Sequence, residues 1–91
     1  MNETPRVASR VEPQVPEEVP GSVNEIVVVR VLVSQEGRPS LVRLLRASRL
    51  GPALDDAVVA AVSQWTFLPA RRRGEAVSCW YNVGVPIRRT E

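Results

Sequence analysis

The chain contains no histidine and no lysine, and its single cysteine is Cys79. One thiol and no imidazole exclude an internal disulfide and a Cys/His metal site. No nucleophile sits beside a base in sequence, and no glycine loop of the phosphate-cradling kind occurs, so the reading is of a non-enzyme that needs no metal and no cofactor. Asp55 and Asp56 read as charges of a first helical turn, not as a catalytic pair. No apolar stretch approaches the ~20 residues that span a bilayer, and the polar start Met1 to Arg6 is unlike a signal peptide, so direct membrane insertion is not expected. Aromatic residues make up only 4% of the chain. The basic side chains are all arginine, 12 against 10 acidic residues, and the signs are too mixed for a nucleic-acid footprint. Arg71, Arg72 and Arg73 therefore read as a solvated connection. An arginine-rich nucleic-acid binder, using these with Arg88 and Arg89, is the lesser alternative.

What is abundant is valine, whose β-branched side chain suits a pleated, half-buried surface. With 91 residues there is room for one domain. Residues 1–22 hold four of the eight prolines among Glu and Arg, and read as an extended arm or linker end without a core. The domain proper is expected over 23–91. Ile26 to Ser34 forms a first strand, Gln35 to Arg38 a turn with Gly37 free to take a positive φ, and Ser40 to Ala47 a second strand.

A helix follows, because Leu54, Val58, Ala61, Val62 and Trp65 recur on one helical face. Pro52 suits its first turn, and Phe67 and Pro69 are expected to end it. These seven residues from Leu54 to Pro69 are the expected structural core. A third strand runs from about Val77 to Ile87.

The order β, β, α, β returns the third strand antiparallel to the first, so an antiparallel three-stranded sheet takes the order two, one, three. The fold class is α+β, with one main helix on one face. Pro86 and Gly84 in the third strand suit an edge position. Val27, Val29, Val31 and Val33 should face the helix with Val42, Leu44, Cys79, Tyr81, Val83 and Val85, Cys79 as a small buried residue. Ile26, Val28, Leu32 and Trp80 should line the other face, and this strip leaves a dimer or partner contact open.

Leu54-Asp55, Ala57, Ala61-Val62, Trp65-x-Phe67-x-Pro69-Ala70 and Gly74, in this order after the hairpin, resemble the C-terminal domain of the TonB family of energy transducers. The weaker matches are Gly37-Arg38 and Glu12-Pro13-Gln14-Val15-Pro16, where the family usually carries an aromatic at the position of Val15. The resemblance covers roughly Glu12 to Arg88. It implies a periplasmic module at the end of a protein anchored in the inner membrane. Such a module binds an outer-membrane receptor, whose TonB-box peptide adds as a strand beside the last strand of the domain. By that analogy the docking edge is Ser78, Cys79, Trp80, Tyr81, Asn82, Val83, Gly84 and Val85, while Glu12 to Pro16 touch the receptor. Motor proteins of the inner membrane would be reached only through a parent anchor, and the chain reads as the end of a longer protein. The competing reading is a stand-alone envelope module that binds or self-associates without transducing energy.

Overall fold

The computed structural model describes residues 2 to 90. Nine elements follow one another: β1 (Asn2–Glu3), β2 (Arg6–Ser9), β3 (Val23–Val33), β4 (Pro39–Arg46), α1 (Pro52–Val62), β5 (Thr66–Leu68), β6 (Ala70–Arg72), β7 (Glu75–Val77) and β8 (Cys79–Arg89). The fold is α+β, and its largest sheet is antiparallel with the order β4-β3-β8. β8 pairs with β3 along its whole length, from Val23 opposite Arg89 to Val33 opposite Cys79. β2 with β5, and β1 with β6 and β7, form two further small sheets. These short strands do not appear in a β, β, α, β description. They carry too few residues for an alternating pattern to show.

Burial follows alternation on β3, where Val27, Val29, Val31 and Val33 are all fully buried. Leu54, Val58 and Val62 of α1 close over them, with Trp65, Phe67 and the β8 residues Val83, Val85 and Ile87. Burying each such side chain contributes about 1.5–3 kcal/mol. Two inward positions depart from expectation. Leu44 is exposed and Cys79 only half-buried, and both stand on the outer strands β4 and β8 of the sheet.

The arm is not coreless as its prolines suggested. Val19 belongs to the core, Val7 and Val15 pack against it, and Pro5 is fully buried.

The helix also stops sooner than its apolar stripe. It ends at Val62, and the amides of Gln64 and Trp65 each bond three residues back, to Ala61 and Val62. That tighter turn carries Trp65 beyond the helix yet leaves it 2% exposed, so its burial follows expectation although its element does not. At the other end Pro52 opens the first turn, and the buried Asp55 accepts a 2.8 Å hydrogen bond from the Ser48 amide.

Gly37 shows how the pieces lock together. Its φ is +81°, a Cβ there would stand 2.1 Å from the Phe67 carbonyl oxygen, and its own carbonyl accepts the Phe67 amide at 2.8 Å. The β3–β4 turn is thereby pinned to β5. The arginine cluster is likewise structured: Arg71 and Arg72 lie in β6, and Arg73 and Gly74, at φ 54° and 83°, make a two-residue hairpin turn to β7.

Candidate partner-binding edge

β8 is an outer strand of the main sheet. Its inner edge is paired with β3, and no strand pairs with its outer edge among the described residues. Alternate backbone amides and carbonyls of such a strand point away from the sheet and can take up another chain. Pro86 removes one donor, which an edge tolerates. Cys79 to Val85 lie within β8, whereas Ser78 falls between β7 and β8, outside both.

The side chains split by face. Val83 and Val85 are buried and Tyr81 half-buried on the helix side; Trp80, Asn82 and Gly84 are exposed on the other. Tyr81 meets the Phe67 ring edge-on at 6.5 Å. A Cβ at Gly84 would stand 3.7 Å from the Ile26 methyl, an ordinary contact, so the fold does not demand glycine there.

Glu12 to Pro16 have no regular structure; Glu12 and Gln14 are exposed and Pro13, Val15 and Pro16 half-buried. Just before them the Trp65 indole Nε1 donates to the Val11 carbonyl at 2.8 Å. Just after them the Val19 amide bonds the Pro16 carbonyl at 3.1 Å. A shallow cavity of about 340 Å3 separates Glu12 and Gln14 from Ala57, Ala61 and Gln64.

The two candidate segments meet at Arg89, at the end of β8. Its guanidinium donates to the carbonyls of Pro16 (3.5 Å), Val19 and Gly21 (2.8 Å). Sequence reasoning missed this clamp, because one arginine in a basic tail carries no signal of its partners.

Elsewhere, the Arg49 backbone amide donates to Glu25 at 3.0 Å and its guanidinium lies 3.4 Å from the same carboxylate. Together, the amide bond foremost, they hold the Glu25 carboxyl below the usual carboxylate range. Among the described residues no His, Cys, Asp and Glu side chains are grouped to hold a metal ion, and no helix is long and apolar enough to cross a membrane.

The family described as Gram-negative bacterial TonB protein C-terminal matches residues 25–88, from within β3 almost to the end of β8. The chain belongs to the TonB C-terminal family. It is also 43% identical over 61 residues to Protein tonB2 of Pseudomonas aeruginosa, a match covering 67% of this chain and 22% of that protein. The chain thus spans about a fifth of the length of the curated relative it matches. No solved structure gives a significant match. The TonB C-terminal domain is a non-enzymatic, periplasmic part of energy-transducing transport proteins. The family match begins within β3, so the segment from Glu12 to Pro16 lies outside it.

Proposed function

We propose that this TonB C-terminal domain captures an extended TonB-box-like peptide of an outer-membrane receptor by strand addition along Cys79 to Val85 of β8. The observation that supports this reading is the outer edge of β8, which no strand among the described residues occupies. Ladder hydrogen bonds, each worth about 1 kcal/mol net, supply affinity without regard to sequence. Selectivity comes from alternate side chains, one set beside Cys79, Tyr81 and Val83 and the other beside Trp80, Asn82 and Gly84. Because the peptide lies along the strand, tension on it loads its hydrogen bonds together, a geometry suited to transmitting a pull. Glu12 to Pro16 contact the receptor next to that peptide, held in place by Trp65 and Arg89. Motor proteins act through an anchor belonging to the parent protein.

The same free edge can pair with its own copy, giving a dimer or a stand-alone module. Titrating the domain with a TonB-box peptide while following amide hydrogen exchange separates these. Strand addition slows exchange at alternate amides of β8. Protection that grows with protein concentration in the absence of peptide would favour self-association, and unchanged β8 amides in a saturated complex would refute docking there.

A further inference from the structure

The two faces of the main sheet differ in charge as well as in burial. Arg43 stands opposite Arg30, Arg46 opposite Val28, and Arg88 opposite Asn24. Opposed residues share a face, so four arginines stand on the side away from α1. No acidic residue of the three strands points to it among the described residues. The one acidic residue in these three strands, Glu25, lies opposite Ile87 on the helix side. None of the four arginines has an ion-pair partner among the described residues. Like charges directly opposed, as Arg30 and Arg43 are, weaken a strand pair, so folding alone gives no reason for the pattern.

Large apolar side chains are interleaved with them: Ile26 is 58% exposed, Leu41 45% and Trp80 37%. The Arg30 guanidinium lies over the Trp80 ring, 4.7 Å from its centroid. Where β3 runs past the end of β4, Asn24, Glu25, Ile26, Arg46 and Arg49 line a cavity of about 510 Å3, in which Arg49 is paired with Glu25 and Arg46 is left to engage a phosphate.

We propose that this face of the sheet docks on an anionic phospholipid surface. Charge complementarity carries the assignment: guanidinium groups engage lipid phosphates while tryptophan and aliphatic side chains enter the interface. A second copy is a poor occupant, because a two-fold contact would set these arginines against each other. An acidic protein segment is the competing class; the flat strip of Leu41, Leu32 and Trp80 offers it no groove, and a membrane needs none. The inference is independent of peptide capture at the edge of β8.

The test is cosedimentation of the whole chain with vesicles of phosphatidylcholine alone and of phosphatidylcholine mixed with phosphatidylglycerol. Binding is expected only to the mixed vesicles, weakening as salt is added. The triple variant Arg30→Gln, Arg43→Gln, Arg46→Gln should bind about a hundredfold more weakly, and Arg43→Gln alone about fivefold. The charge-matched triple Arg71→Gln, Arg72→Gln, Arg73→Gln, on another sheet, should retain binding. The single variant keeps the test open if the first triple does not fold. No sedimentation with anionic vesicles at low salt would overturn the proposal, and so would equal losses from the two triples. Binding to soluble polyglutamate in place of vesicles would also overturn it, and would assign the face to an acidic protein.

Discussion

Replacing Gly37 by alanine tests the lock between the β3–β4 turn and β5, and the structure allows the cost to be separated into parts. An L side chain in the left-handed region, at φ +81°, costs about 1–2 kcal/mol. The added Cβ would stand 2.1 Å from the Phe67 carbonyl oxygen, a backbone atom that cannot swing aside, so β5 must retreat. Retreat breaks the 2.8 Å bond from the Phe67 amide to the Gly37 carbonyl, worth about 1 kcal/mol, and loosens Phe67 in the core. Any glycine-to-alanine change recovers a little by stiffening the unfolded chain, about 0.4–1 kcal/mol. With the loosening of Phe67 added, the expected loss for Gly37→Ala is about 2–3 kcal/mol, a large share of the roughly 5–15 kcal/mol that such domains possess. Gly74 is the internal control: its φ is +83°, but a Cβ there meets nothing within 4 Å. Gly74→Ala should therefore lose only about 1 kcal/mol. Urea unfolding of the two variants beside the parent reads the difference. Equal losses would show that the turn does not press on β5 and would refute the reasoning.

Trp65→Ala should cost about 3–5 kcal/mol by thermal or urea unfolding, while Trp65→Phe should mainly lose the hydrogen bond to Val11 and free the arm around it. Arg89→Met should release the Pro16 to Gly21 carbonyls, costing about 1.5–3 kcal/mol and speeding amide exchange around Val19 more than in β3. Glu25 contributes to the pH dependence with a definite sign. Its folded-state pKa is depressed, so its contribution is present above the ordinary carboxylate range and is lost as pH falls through the lowered value. Urea midpoints of the parent and Glu25→Gln should therefore converge in acid and part toward neutrality.

The sequence was legible where one pattern ran for two turns or more. The valine run of β3, the Pro52 start of α1 and the edge position of β8 follow from periodicity, proline chemistry and connectivity. What escaped was short or made by irregularity. β1, β2, β5, β6 and β7 have too few residues to alternate visibly, and the arm's prolines hid the apolar steps Val7, Val15 and Val19 that dock on the core. The last turn before Trp65 tightened without a sequence signal beyond Ser63 and Gln64. The arginine face was hidden by one extra residue. A bulge between the Val28–Arg46 and Val29–Leu44 pairs moves Arg46 off the side it would share with Val42 and Leu44, and no composition argument reveals that shift. Of the proposed site, the β8 edge could be inferred from connectivity, whereas the Arg89 clamp required coordinates.

A solved complex of this domain with a TonB-box peptide measures the central claim most directly. The account predicts peptide backbone paired with Cys79 to Val85 along the outer edge of β8, with β3 undisturbed. A peptide bound instead along β4, or lying across the arginine face, would contradict it.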